Sequence, residues 1–300
     1  MSRASQVRSA VEQVTQVILG KESAVRRALC CVLARGHLLI EDVPGVGKTT
    51  LAMALAKSLG LSMHRVQFTS DLLPADITGG VIFDRERQAF TFHPGPIFAQ
   101  VVLADEVNRA TPKTQSALLE AMEEGRVSVD GHSHQLPQPF VVIATQNPSH
   151  QIGTYPLPES QLDRFLMRLA LGHPNRQAER EMLRGPSRRQ ILDGLTPVLD
   201  HSQLLEAQHE VEQVHVAEPI LDYLLDIVAA SRLRGGGLSP RAGLGLKHAA
   251  QAWAYLEGRT LVIPEDVQAV ASEVMAHRLT HDTADGRALV AELMRTVSVR

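Results

Sequence analysis

The sequence has only two cysteines in 300 residues, and they stand side by side, Cys30 and Cys31, in an apolar stretch. No disulfide framework can be built from such a pair. With no C-x-x-C motif, thiol redox chemistry has no carrier either, and both residues read as small buried hydrophobes of a cytoplasmic protein. Long apolar runs are also missing. The longest, residues 28–34, holds seven residues, against the roughly 18 that a membrane-spanning helix needs. Near the N-terminus Arg3, Arg8 and Glu12 alternate with polar residues. There is no apolar core of a secretory signal there. A surplus of either charge is absent: 30 Lys and Arg face 33 Asp and Glu, for a net charge of -3. That argues against a non-specific nucleic-acid binder, which needs basic excess to neutralise phosphates. The G-x-S-x-G elbow of serine hydrolases does not occur. Neither does H-E-x-x-H: His277 and His281 are four apart, but no Glu follows His277. His132 and His134 read as ordinary hairpin residues rather than zinc ligands. No internal repeat or low-complexity tract is present.

What remains is ordinary globular material, 44% hydrophobic and 21% charged, with a clear change of pattern along the chain. Residues 3–18 and 22–34 read as helices; in the second, Ala24, Ala28, Cys31 and Val32 recur at helical spacing. A strand is expected at 37–40, a turn-rich loop at 41–47, and a helix at 48–59 stopped by Gly60. Further strands are expected at 66–69, 100–104 and 140–145, with a helix at 112–124 closed by Gly125. Residues 81–92 read as a hairpin, and Asp130-Gly131 marks the turn of a second. Strands alternating with helices predict a parallel sheet covered by helices. Beyond His173 strand signals stop. Helices are expected at 176–184, 202–213, 218–232, 241–257 and 264–279, with Pro219, Pro240 and Pro264 at helix starts. Gly235-Gly236-Gly237 breaks the region, and the last twenty residues read as a terminal helix with an exposed tail. The division expected is an α/β core over 1–173 and an all-helical part over 174–300.

The most informative segment is Pro44-Gly45-Val46-Gly47-Lys48-Thr49-Thr50, between the first strand and the next helix. Glycines let successive backbone N–H groups turn inward on an anion, and the helix N-terminus adds partial positive charge. Lys48 is placed to reach the β- and γ-phosphates of ATP, and the Thr49 hydroxyl to ligate Mg2+. One departure from G-x-x-x-x-G-K-[ST] is plain: position 42 is Asp42, so Pro44 and Gly45 are expected to supply the turn. The second half of such a site is an apolar strand ending in acids. Val101-Val102-Leu103-Ala104-Asp105-Glu106 supplies one, with Asp105 expected to hold the metal and Glu106 to polarise an attacking water.

The strings around these acids resemble the MoxR group of AAA+ ATPases, in the clade with a helix-2 insert. They run from Asp105 through Arg109 and on through Pro112 to Glu124, with Asp71-Leu72-Leu73-Pro74, Pro94-Gly95-Pro96 and Leu157-Pro158-Glu159 to Asp163-Arg164-Phe165. The resemblance implies an AAA+ P-loop fold with a parallel-sheet core and a C-terminal helical lid. It makes Lys48 and Thr49 the Walker A pair and Asp105 and Glu106 the Walker B pair. Asn147, before Pro148, becomes the first sensor. Arg164 becomes an arginine finger meeting a neighbouring subunit's ATP. Arg241 becomes a second sensor, expected to reach from the lid to the phosphates of its own subunit. Val17 and Ile18 are expected near the adenine. The resemblance also implies a homo-oligomer, a hexameric ring with both hairpins facing its pore. Its work would be chaperone-like remodelling or maturation of client proteins, metalloenzymes among them, with a partner carrying a von Willebrand factor A-type domain. Two other readings stay open on the residues: a motor acting on nucleic acid, and a P-loop kinase of a small molecule.

Overall fold

Apolar runs of four to six residues alternate with helices through the first part of the chain, and in the structure those runs become the strands of one sheet. This is a computed structural model, describing residues 3–86, 88–147, 153–233, 237–280 and 282–298. Pro148, Gly235, Gly236 and His281, named above, lie outside them. The first part holds α1 (Arg3–Val17), α2 (Glu22–Leu33), β1 (Leu38–Glu41), α3 (Lys48–Ser58), β2 (Met63–Gln67), α4 (Pro74–Thr78), β3 (Gly79–Asp84) and β4 (Ala89–Pro94). There follow β5 (Val101–Asp105), α5 (Pro112–Glu124), β6 (Arg126–Val129), β7 (His132–Gln135), β8 (Val141–Gln146), α6 (Glu159–Leu162) and β9 (Met167–Leu169). The rest is helical: α7 (Arg176–Arg184), α8 (Arg188–Asp193), α9 (His201–Glu212), α10 (Glu218–Arg232), α11 (Pro240–Leu256), α12 (Pro264–Leu279) and α13 (Thr283–Thr296).

Five strands form a parallel sheet in the order β2-β5-β8-β1-β9. Alternate residues of each strand feed opposite faces. Leu38, Ile40, Leu103 and Ile143 enter one core with α1, α2, α3 and the later helices, whereas Leu39, Val102, Ala104 and Val142 enter a second core with α5. Because both faces are covered, β5 is buried throughout and β8 nearly so, which is why both read as apolar runs in the sequence. The helices α9 to α12 share the first core, so the fold is an α/β P-loop sheet with a helical lid packed on it.

Strands missed or displaced in the sequence reading have a common cause. The strand expected at 66–69 lies instead at Met63–Gln67. It is one of the sheet's two edges, and exposed His64 and Arg65 break its apolar pattern. β9 has Arg168 at its centre and gave no apolar run at all. α4, α6 and α8 span four to six residues each, too short for helical periodicity. Both hairpins form: β3 pairs with β4 and β6 with β7, antiparallel. Asp130 and Gly131 have φ of 49° and 78°, the two left-handed residues that a tight hairpin turn needs. Among the described residues no helix is long and apolar enough to cross a membrane.

Candidate active site

Parallel strands bring their carboxyl ends to one edge of the sheet, where open α/β sheets bind ligands. Here that edge collects the loop after β1, the acids ending β5 and the residues ending β8. The loop turns at Gly45 (φ 86°) and Gly47 (φ 98°), the latter standing directly before α3. Asp42 is not among the left-handed residues, so no glycine is needed there. Its carboxylate instead accepts hydrogen bonds from the backbone N–H of Val43 (2.8 Å) and of Gly172 (2.5 Å). The departure from the usual motif thus ties the loop to the segment after β9.

Lys48 is only 8% exposed. Its ammonium donates to Asn147 Oδ1 at 2.9 Å, to the carbonyls of Val43 and Gln146 at 3.4 Å, and to that of Asp42. Burial pushes its pKa down, opposed by Asp42, Asp105, Glu106 and Glu41. Asn147 in turn donates from Nδ2 to Glu106 Oε1 at 3.1 Å. One amide therefore bridges the P-loop cation and the expected catalytic acid. Glu106 has φ 56° and ψ 48°, a left-handed backbone that a non-glycine residue holds only under restraint. Gln67 Nε2 (3.1 Å) and Arg109 Nη1 (3.0 Å) donate to its other oxygen. Thr145 Oγ1 donates to Asp105 Oδ1 at 2.5 Å and accepts from the Glu106 N–H at 2.9 Å. Asp105 Oδ2 accepts from Arg65 Nη2 at 2.7 Å and Nε at 3.1 Å, and from Thr49 Oγ1 at 3.4 Å.

The two expected arginines are elsewhere. Arg164 meets Glu123 at 2.8 Å, and Arg241 bonds the same carboxylate through its other oxygen. Arg241's hydrogen bond is the main cause holding the Glu123 pKa below the usual carboxylate range. Glu123 lies in the last turn of α5 next to Met122, whose carbonyl takes a hydrogen bond from His37. Gly36, His37, Glu123, Arg164 and Arg241 line one cleft. That cleft faces the amino end of β1, whereas the P-loop leaves its carboxyl end; the four-residue strand between them spans about 13 Å. Arg241, expected at the phosphates of its own chain, thus lies at the opposite end of β1 from the P-loop, on Glu123. The lid packs so that the first turn of α11 stands beside residues 163–166, and a carboxylate there offsets the unfavourable dipole that a cation meets at a helix start.

Two family models match: the ATPase family associated with various cellular activities over residues 37–167, and the AAA lid domain over residues 229–295. The uncharacterized protein YeaC of Bacillus subtilis is 46% identical, the match covering 97% of this chain and 93% of that one. Chaperone MoxR1 of Mycobacterium tuberculosis is 40% identical over 90% of this chain and 74% of its own. The crystal structure of a Cytophaga hutchinsonii protein, provisionally described as an ATPase, superposes with a TM-score of 0.89 at 34% identity. It covers 99% of this chain and 96% of that one. The chain belongs to the MoxR family of AAA+ ATPases.

For a MoxR chain the donor set fits its expected ligands. Thr49 Oγ1 and Asp105 Oδ2 are hard oxygens side by side, suited to Mg2+ and its water shell. The loop 44–50, leading into α3, suits phosphate. Ile18 lies beside this loop, its Cδ1 4.0 Å from where a Cβ on Gly47 would stand, and Val17 is buried in the first core. Arg65, Gln67, Arg109 and Thr145 were not singled out by sequence reasoning. Their only signals were weak: Arg65 and Gln67 lie two apart on a strand, and Thr145 is a polar residue ending an apolar one.

Proposed function

We propose that this chain is a Mg2+-dependent ATPase whose hydrolytic site is completed by a second copy, and that the cycle remodels client proteins. The observation carrying this reading is the unbroken chain Lys48–Asn147–Glu106 at the strand ends, with both arginines held off at the other edge on Glu123. ATP phosphates would lie on the amides of Pro44 to Thr50, with Lys48 exchanging its carbonyl contacts for phosphate oxygens. Held by Thr49 and Asp105, Mg2+ would neutralise charge on the β- and γ-phosphates. Glu106 accepts the proton of the attacking water, and Asn147 fixes that carboxylate's position. Arg164 and Arg241 leave Glu123 for a neighbour's γ-phosphate; an arginine in that role is worth about 10³–10⁵ in rate.

Donor and acceptor surfaces that differ in this way make a head-to-tail contact, which closes as a ring where the rotation permits; we take the assembly to be a hexameric ring. In it, residues 1–173 serve as the ATPase core and residues 174–300 as linker and lid. Hydrolysis would change the angle between them. The hairpin β3–β4 carries Phe83 and Phe90 exposed near its tip, ring centroids 5.3 Å apart, an apolar contact for a client. Phe92 of that hairpin stacks on His134 of β7 at 3.8 Å, joining the two hairpins. A chaperone role takes support from the name of MoxR1. Metalloenzyme clients and a von Willebrand factor A-type partner follow the family resemblance, and a cytoplasmic location follows the cysteine usage.

The test is turnover by mixed assemblies. Glu106→Gln should bind ATP without cutting it, and Arg164→Ala should stall at the neighbour's site. Mixing the two should restore turnover, because one interface then has both an intact Glu106 and an intact Arg164. If mixed assemblies form and stay inactive, or if dilute single chains match the concentrated enzyme, the shared site is wrong.

A further inference from the structure

Arg164 and Arg241 belong to different parts of the chain, yet both sit on Glu123. What registers them is Asp163, the residue before Arg164. Its Oδ1 accepts from Arg278 Nε of α12 at 2.7 Å, and its Oδ2 accepts from Ser239 Oγ at 3.0 Å. Ser239 is the N-cap of α11, its hydroxyl accepting from the Ala242 N–H at 3.0 Å, two residues before Arg241. Arg278 is 5% exposed. Beyond the Asp163 carboxylate it donates to the carbonyls of Asp163 (3.0 Å), Phe165 (2.7 Å), Leu166 (3.1 Å) and Val274. Three of those four carbonyls belong to the backbone flanking Arg164. The preceding residue of α12, His277, also bonds the Phe165 carbonyl at 3.1 Å. Two lid helices thus grip one short segment through a single carboxylate and a single buried guanidinium.

We propose that Asp163 and Arg278, with Ser239, are positioning residues for the shared site: they hold Arg164 and Arg241 in one rigid unit, so that lid movement in one chain places or withdraws both arginines at its neighbour's nucleotide. The inference rests on the reading that Arg164 serves a neighbouring chain. Arg278 touches no substrate in it and acts through the segment it holds. The cluster carries three arginines against two carboxylates, Asp163 and Glu123. This surplus of one positive charge suits it to receive an anion from outside once Glu123 is released. Asp163 holds Arg278 charged against burial, which pushes the guanidinium pKa down.

The full-length chain carries the test. Asp163→Asn keeps the shape and a partner for Ser239 but removes the charge facing Arg278. Affinity for a non-hydrolysable ATP analogue, by calorimetry, should stay within about twofold of wild type, as should KM, because the chain's own P-loop is untouched. The kcat should fall about 10²-fold, the cost of a small misplacement of a catalytic group. Mixing with Glu106→Gln chains should restore turnover, as for Arg164→Ala. Ser239→Ala, which loses the hydrogen bond to Asp163 and the N-cap bond from the Ala242 N–H, should show the same split with a fall of about fivefold. It carries the test if Asp163→Asn does not fold or assemble. Wild-type turnover in these variants, while Arg164→Ala is inactive and rescued by mixing, overturns the proposal and leaves the shared site standing. A loss that mixing fails to restore, where Arg164→Ala is restored, also overturns it, as damage internal to the chain. If Arg164→Ala itself is never restored in proven mixed assemblies, the shared site fails and this proposal falls with it.

Discussion

Replacing Thr145 by valine isolates the hydroxyl that locks the two acids of β5. Thr145 is fully buried, and its oxygen serves Asp105 Oδ1 and the Glu106 N–H together. Valine keeps the shape and loses both bonds. A hydrogen bond to a charged group is worth about 1.5–3 kcal/mol, and an orphaned buried amide costs about 1–3 kcal/mol. Burying a methyl in place of the hydroxyl returns about 0.8 kcal/mol. Asp105 keeps Arg65 on its other oxygen, so the carboxylate is not stripped, and the net loss should be about 2–4 kcal/mol. Thr145→Ser keeps the hydroxyl and loses only a methyl group, for about 1 kcal/mol. Activity should follow the same order. Without its amide hydrogen bond the left-handed Glu106 backbone loses a restraint, and turnover at saturating ATP should fall about 10²-fold in Thr145→Val. Urea unfolding monitored by circular dichroism, alongside an ATPase assay, measures both. If the valine variant is as stable as the serine variant, or turns over at the wild-type rate, the lock is not what holds Glu106.

Two further outcomes follow from the geometry. His37 accepts the Val142 N–H on Nδ1 (3.0 Å) and bonds the Met122 carbonyl through Nε2 (3.1 Å), which fixes a neutral ring, and burial pushes its pKa down to about 4. The unfolded ring takes its proton near pH 6.5, so between about pH 6.5 and 4 the unfolded chain binds more protons and stability falls as pH falls, by up to about 3 kcal/mol. Urea midpoints measured across that window should drop less steeply in His37→Asn; an unchanged slope would remove His37 from the account. At the hairpin tip, where Phe83 and Phe90 are 44% and 74% exposed, the double change to serine should alter unfolding by no more than about 0.5 kcal/mol and leave client-free turnover intact. A large loss of stability in the same urea assay would mean that these rings pack rather than wait for a partner.

The legible parts of the fold were those whose physics is local. β5 and β8 are buried on both faces and read as apolar runs; edge strand β2 and the three-residue β9, carrying exposed or charged side chains, did not. The P-loop was legible because its amides, Lys48 and Thr49 are consecutive. Arg65, Gln67 and Thr145 were not. They come from β2 and β8, which flank β5 only once the strand order is set.

The arginines divide along the same line. Sequence alone was enough to place Arg241 in the first turn of a helix, where the dipole makes a cation seek an anion. It held no means of choosing which anion. The partner it meets, Glu123 shared with Arg164, depends on how the lid seats against the sheet. That seating is made by Arg278 and Ser239 meeting Asp163 across 115 and 76 residues of chain. Backbone chemistry within one turn of helix or loop is written in neighbouring letters, whereas a carboxylate shared by distant guanidiniums exists only after the core has closed and brought them within hydrogen-bond reach.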